Sequence, residues 1–161
     1  MRRAWVGLGG NLGDVDRAFD AALDTLAGTP GLHLREVSRR YRTPAWGPYP
    51  QPDFLNAVAG FEISLDPIDL LGILQAIECS HGRQRSQEVR FGPRTLDLDL
   101  LAVEGVVLDM PGLQLPHPRL AERAFVLVPW ADIAPDLVIP GFGRIASLRD
   151  ALDCLGIEAI P

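Results

Sequence analysis

Apolar residues recur along this chain with two periods, and the switch between them divides it into strands and helices. Arg3 to Gly9 alternates with small and β-favouring residues, which predicts a first strand. GGNLGD then interrupts the pattern. Ala18, Phe19, Ala22, Leu23 and Leu26 recur at helical spacing until Gly28-Thr29-Pro30 stops the helix. Leu32 to Arg42 predicts a second strand, rich in arginine on its later half. TPAWGPYPQP holds four prolines in ten positions and two large aromatics, a semi-rigid loop. Phe54 to Ile63 alternates cleanly, with Leu55, Ala57, Ala59, Phe61 and Ile63 on one face.

Asp66-Pro67 opens a helix, Asp as the cap and Pro at the first helical position. Leu70, Leu71, Leu74 and Ile77 supply its buried stripe, and Gly82 is placed to end it. The loop Arg83 to Pro93 leads into the strand TLDLDLL. Glu104-Gly105 predicts a hairpin turn into Val106 to Leu108. LPHPRLAERAF, a mixed strand or loop around Val126 to Trp130, and a closing helix near Ile145 to Leu155 complete the chain. The order β-α-β-β-α-β with carboxyl-terminal additions predicts an α+β, ferredoxin-like antiparallel sheet with helices covering one face. No repeat or linker interrupts it, so residues 1–161 are expected to form one domain.

Charge narrows the partners. Fifteen basic and 21 acidic residues give a net charge of −6, which argues against a nucleic-acid coat. Every basic residue is Arg. Schiff-base lysine chemistry and the lysine of a G-x-x-x-x-G-K-[ST] phosphate loop are therefore excluded. Cys79 and Cys154 lack C-x-x-C spacing and are expected as reduced, largely buried thiols, and His81 near Cys79 is poor support for zinc. The amino terminus has a basic start but too short an apolar core for a signal peptide, and no run approaches the ~20 apolar residues of a membrane span. A soluble, cytoplasmic protein is expected, a monomer with neither nucleic acid nor membrane as partner.

The strand after the arginine loop carries the most pointed chemistry. Residues i and i+2 of a strand share a face, about 6.6 Å apart. Leu96, Leu98 and Leu100 are therefore expected on the core side, and Thr95, Asp97, Asp99 and Leu101 on the other. Two carboxylates so placed suit a hard cation, or two ions roughly 3.5–4 Å apart; a charged, solvated sheet face is the alternative. Arg83, Arg85, Arg90 and Arg94 against Glu88 give the preceding loop a local charge of 4 − 1 = +3. Guanidinium groups suit phosphate oxygens, so loop and strand together suit a metal-bound nucleoside triphosphate, although a solvated loop paired with nearby acids has the same composition.

His117, in L-P-H-P-R, is a phosphate donor or a turn residue. Phe54, Asn56 and Phe125 can sandwich a flat heterocycle and read its edge, or can be core residues. GLGGNLGD fails the dinucleotide fingerprint, since Leu12 stands where its last glycine belongs. It is expected as a tight strand-to-helix turn, with Asn11 and Asp14 as capping groups.

GPRTLDLDLL, with GLGGNLGD, YRTPAWG…PDFLNAV and LPHPRLAERAFVLVPW, closely resembles the 6-hydroxymethyl-7,8-dihydropterin pyrophosphokinases of folate biosynthesis, from about Ala4 to beyond Pro135. The resemblance implies a ferredoxin-like fold and transfer of the β,γ-pyrophosphate of ATP to the pterin's hydroxymethyl oxygen, releasing AMP. It implies Asp97 and Asp99 as ligands of two Mg²⁺ ions. Arg83, Arg94, His117 and Arg123 would contact phosphates, Arg83 and Arg94 acting in catalysis with the two aspartates. Gln75 and Glu78 would lie on the nucleotide side, and Arg85, Arg90 and Phe91 on a mobile loop over ATP. Thr43, Pro44, Ala45 and Trp46 would line the pterin pocket, Asn56 would read the pterin's amide edge, and Phe54 and Phe125 would stack on its faces.

This chain departs from the familiar bacterial pattern at several positions. Phe54 and Phe91 stand for Tyr and Trp, Trp46 replaces a smaller aliphatic residue, one extra residue lies between Arg85 and Phe91, and Pro118 follows His117. The rivals are a two-metal nucleotidyltransferase or nuclease, which would want a broad basic surface, and a non-catalytic ferredoxin-like binding module.

Overall fold

The computed structural model describes residues 1–45, 48, 50–82 and 95–161. Strand β1 (Arg2–Gly10) leads into α1 (Val15–Ala27), followed by β2 (Leu32–Val37), β3 (Tyr41–Thr43), β4 (Phe54–Ile63), α2 (Pro67–Ser80) and β5 (Asp97–Val103). The hairpin β6 (Leu108–Met110) and β7 (Leu113–Leu115) precedes α3 (Ala124–Ile133). A small hairpin, β8 (Val138–Ile139) and β9 (Gly143–Arg144), then α4 (Ile145–Asp150) and β10 (Glu158–Ala159) close the chain.

The sheet runs β10-β3-β4-β1-β5, with β2 also paired to β4; every pairing is antiparallel. β2 and β3 lie end to end along β4, where the pattern predicts a single strand. From Val37, opposite Ala59, to Tyr41, opposite Asn56, the first chain takes four steps and β4 takes three. Ser38 keeps register with Val58, its N–H donating to Val58 O and its Oγ accepting from Val58 N–H, both at 2.9 Å, and the extra residue is absorbed just beyond it at Arg39-Arg40.

Alternation along β1 sends Ala4, Val6 and Leu8 to one face of the sheet and Trp5, Gly7 and Gly9 to the other. The first face packs with Ala57, Ala59, Phe61, Ile63, Leu98 and Leu100 against Phe19, Leu23 and Leu26 of α1 and Leu70, Leu74 and Ile77 of α2. Truncating a buried Phe such as Phe19 to Ala costs ~3–5 kcal/mol, so this layer carries much of the stability. Asp14 caps α1 by accepting from Arg17 N–H at 3.1 Å, and Pro67 stands at the first turn of α2.

The second face is covered as well, which corrects the expectation of helices on one side only. Trp5, Val58, Leu101 and Ala102 pack there against Val126, Leu127 and Trp130 of α3 and Ile145 of α4. The stretch Val126 to Trp130 is thus helix, not strand or loop. Its run VLVPW is apolar at every position and carries no period, while burial of Val126, Leu127, Trp130 and Ala131 follows a helical stripe. The turn at Glu104-Gly105 forms, but its outgoing strand pairs with β7 rather than returning along β5. Cys79, at the end of α2, is exposed and not buried as expected.

Helix α3 is tied to the sheet by a polar cluster. Tyr41 Oη donates to Asp132 at 2.7 Å, and Arg39 donates to the same carboxylate through Nε at 3.2 Å and Nη2 at 3.0 Å. Burial, then the hydrogen bond and charge of Asp132, push the Tyr41 phenol up to about 12. Burial alone would raise the Asp132 carboxyl; hydrogen bonds from Arg39 and Tyr41 outweigh it and hold the group below its usual 3.8.

Candidate active site

The second face is covered at one end only. Where Trp5 gives way to Gly7 and Gly9, β1 contributes no side chain, and a concave floor opens between β4 and β5. Asp97 lies opposite Gly9 and Asp99 opposite Gly7; across β1, Gly9 faces Asn56 and Gly7 faces Val58. A Cβ on Gly9 would stand 3.0 Å from Asn56 Oδ1 and 3.9 Å from Asp97 Cβ. Glycine at this point lets an amide and a carboxylate share one floor. GLGG therefore belongs to the strand, and only NLGD forms the predicted turn. Asn11 reaches across from it, donating to Gln51 Oε1 and Pro52 O, each at 2.9 Å.

Glu78 supports the carboxylates from behind. It is 1% exposed, and its Oε2 accepts the N–H of Leu98, the residue between the two aspartates, at 2.8 Å. β5 is the edge of the sheet, so this N–H points away from β1 and needs such a partner. In front, Arg123 Nη1 stands 3.7 Å from Asp99 Oδ2 and its guanidinium 5.8 Å from the centre of the Phe125 ring.

His117 follows. Its N–H donates to Leu101 O at 2.8 Å, and its Nδ1 accepts Arg119 N–H at 3.1 Å. That bond puts the proton of a neutral imidazole on Nε2, leaving Nε2 as the donor. Burial lowers the His117 pKa from its ordinary 6.5; Asp99 pulls it upward, and Arg123 and Arg119 push it further down.

Two cavities meet at Asp99. One, about 590 Å³, is bounded by Gln75 and Leu71 of α2, Leu98 and Leu100 of β5, the β6–β7 hairpin, and His117. The other, about 870 Å³, takes in Thr43, Pro44, Phe54, Asn56, Asp97, Arg123 and Phe125. Asn56, 7% exposed, donates from Nδ2 to Thr43 Oγ1 at 3.0 Å on its floor. Of the residues expected in a site, these ten gather around the two cavities. Ala45 follows Pro44 without lining either, and Glu78 acts from beneath β5. Trp46, Arg83, Arg85, Arg90, Phe91 and Arg94 lie outside the described residues.

Other lining residues were not expected in a site: Gly7 and Gly9, Arg119 and Glu122, the hairpin residues Asp109 to Gln114, and Asp153, Leu155 and Ile157 near the carboxyl end. The glycine pair, alternating within a strand, left a readable signal, as did Arg119 and Glu122 within LPHPRLAERAF; the others left none. Among the described residues no group of three His, Cys, Asp or Glu side chains could enclose a metal. The pair of carboxylates facing a cavity instead fits Mg²⁺, which keeps several waters and takes one or two carboxylates plus phosphate oxygens.

Residues 5–135 match the family model of the 7,8-dihydro-6-hydroxymethylpterin-pyrophosphokinases. The 2-amino-4-hydroxy-6-hydroxymethyldihydropteridine pyrophosphokinase of Pseudomonas aeruginosa is 44% identical over 161 residues, covering 100% of this chain and 98% of the relative. That of Methylorubrum extorquens is 46% identical, covering 99% of each. Among solved structures, wild-type HPPK-DHPS of Plasmodium falciparum with pteroate superposes with a TM-score of 0.72 at 13% identity. That likeness, in fold alone, spans 93% of this chain and 42% of the longer one. This chain belongs to the 7,8-dihydro-6-hydroxymethylpterin-pyrophosphokinase family.

Proposed function

We propose that this protein transfers the β,γ-pyrophosphate of ATP to the hydroxymethyl oxygen of 6-hydroxymethyl-7,8-dihydropterin, yielding AMP and the pterin diphosphate for folate biosynthesis. Family membership supports the reaction, and the observation that carries it is the meeting of two cavities at Asp99. One chamber suits a nucleotide, the other a flat heterocycle, and the carboxylates stand where a phosphoryl group would pass between them.

In this reading Asp97 and Asp99 hold two Mg²⁺ ions against the triphosphate. Bound there, the metal neutralises phosphate charge and lowers the pKa of a coordinated hydroxyl. Arg123 and the Nε2–H of His117 contact phosphate oxygens, joined by Arg83 and Arg94. Gln75 lies on the nucleotide side, Glu78 serves the nucleotide by holding β5, and Arg85, Arg90 and Phe91 belong to the loop over ATP. On the pterin side Thr43, Pro44, Ala45 and Trp46 form the wall and Phe54 and Phe125 the stacking faces.

Asn56 reads the amide edge. One N–H of its Nδ2 donates to Thr43, which leaves the second N–H to donate and Oδ1 to accept along the ring edge. Little covalent work falls to the protein: it aligns the hydroxyl with the β-phosphorus and excludes water from the junction. The chain acts as a single domain and a cytoplasmic monomer, with neither nucleic acid nor membrane as partner. Among the described residues no helix is long and apolar enough to cross a membrane.

Product analysis tests this. Purified protein with ATP, Mg²⁺ and the reduced pterin alcohol is expected to release AMP in step with the pterin diphosphate. Accumulation of ADP or of free pyrophosphate would overturn it.

A further inference from the structure

The match to the family model ends at residue 135, yet the chain returns to the larger cavity after that point. Asp153, Leu155 and Ile157, at every second position, line it together with Thr43, Pro44, Phe54 and Asn56. Leu155 is 89% exposed, whereas Asn56 on the floor is 7% exposed, so the leucine stands at the mouth and the amide at the depth of one chamber.

This turn is held from several sides. β10 pairs with β3, Glu158 opposite Arg42 and Ala159 opposite Tyr41, and Ile160 N–H donates to Arg40 O at 2.8 Å. Asp153 Oδ1 accepts Leu155 N–H at 2.9 Å, and Ile157 N–H donates to Cys154 O at 3.2 Å. Gly156, at φ +86°, passes so close to Pro44 that a Cβ would meet its Cγ at 3.0 Å. An exposed leucine is by itself unremarkable. One held at the rim of a chamber whose apolar lining includes Pro44, Phe54 and Phe125 is placed to meet a ligand that fills it.

We propose that the turn Asp153–Ile157 is a wall of the pterin chamber and that Leu155 is a specificity residue, its side chain covering the outer part of the bound ring. This rests on assigning the larger chamber to the pterin. A dihydropterin is polar along one edge and apolar on its faces. Asn56 and Thr43 meet the edge at depth, while Phe54, Phe125 and Leu155 remove the faces from water. The carboxyl-terminal segment therefore belongs to the substrate site, and its anchoring through β10 to β3 ties that wall to the strand carrying Thr43.

Steady-state kinetics on the full chain test this with Leu155→Ser and Leu155→Met beside the wild type. Leu155→Ser is expected to raise KM for the pterin alcohol roughly fivefold, in keeping with the loss of a leucine's apolar contact. KM for ATP and the thermal midpoint stay where they were, and Leu155→Met returns the pterin KM to within about twofold of wild type, the thioether chain filling the same volume. An unchanged pterin KM in Leu155→Ser overturns the inference while wild-type AMP formation leaves the functional assignment standing. An equal rise in both KM values with a lowered midpoint also overturns it, by making the turn merely structural. A wild type that neither binds the pterin nor forms AMP overturns both.

Discussion

Glu78 and Leu98 are joined through a single hydrogen bond that sets the position of two other residues. The Glu78 carboxylate, buried at the end of α2, accepts the Leu98 N–H at 2.8 Å, and Leu98 separates Asp97 from Asp99. Glu78→Ala leaves that amide without this acceptor at the sheet edge and is expected to cost ~1–3 kcal/mol. Glu78→Gln, which keeps an acceptor oxygen, loses less. Urea unfolding measures the stability and AMP formation the positioning; if Ala and Gln behave alike in both, the bond has no such role.

The aspartates themselves are expected to separate activity from stability. Asp99 keeps 41% of its side chain exposed, and Asp97 is half-buried at the cavity, so neither substitution opens a void in the core. Asp97→Ala and Asp99→Ala should abolish AMP formation and weaken Mg²⁺-dependent nucleotide binding while leaving the unfolding midpoint near wild type. Near-normal turnover in either variant would remove the metal-holding role.

Adjacent glycines of β1 should respond differently to the same methyl group. At Gly10 a Cβ would lie 2.7 Å from the carbonyl oxygen of Thr95, backbone that cannot swing aside, so Gly10→Ala is expected to destabilise the fold by ~1–3 kcal/mol. At Gly9 the obstacle is Asn56 Oδ1 at 3.0 Å, a side-chain atom. Gly9→Ala should turn Asn56 away from Thr43 and raise the pterin KM with a smaller loss of stability. Denaturant melts paired with kinetics distinguish the two.

The Tyr41–Asp132 bond predicts a loss of stability at both ends of the pH scale. Asp132 has a folded pKa below its unfolded 3.8, so its contribution is present above that value and is lost as pH falls through the folded one. Tyr41 has a folded pKa of about 12 against 10, so its contribution is complete below pH 10 and is lost as pH rises towards 12. Asp132→Asn should flatten the acid limb of the unfolding free energy and Tyr41→Phe the alkaline limb. Limbs unchanged by either variant would contradict the assignment.

How far the pattern of residues could be read depended on whether the decisive contact was local. The alternation TLDLDLL gave both faces of β5, because in a strand the side-chain period is two whatever packs against it. Leu96, Leu98 and Leu100 are buried and the aspartates look outward, as that period requires. Pro67 and Gly82 bounded α2 for similarly local reasons, while Asp66 stands at the N-cap position without a side-chain capping bond. The run VLVPW did not declare a helix, since an apolar segment without a period acquires one only from the surface it lies on. Nor did Leu32 to Arg42 reveal its break just beyond Ser38, which follows from register along β4.

The same division holds at the site. Residue types and order carried the chemistry: acids for a cation, guanidinium groups for phosphate, aromatics and an amide for a flat ring. Those are properties of side chains and survive in any fold. Their meeting depended on contacts between residues far apart in the chain. Glycines of β1 clear the floor, Glu78 holds β5 from beneath, and Leu155, some hundred positions beyond Asn56, closes on the same chamber. Such contacts arise only when strands pair and helices pack. A periodicity describes which way a residue faces, and the partner it faces is supplied by the rest of the folded chain.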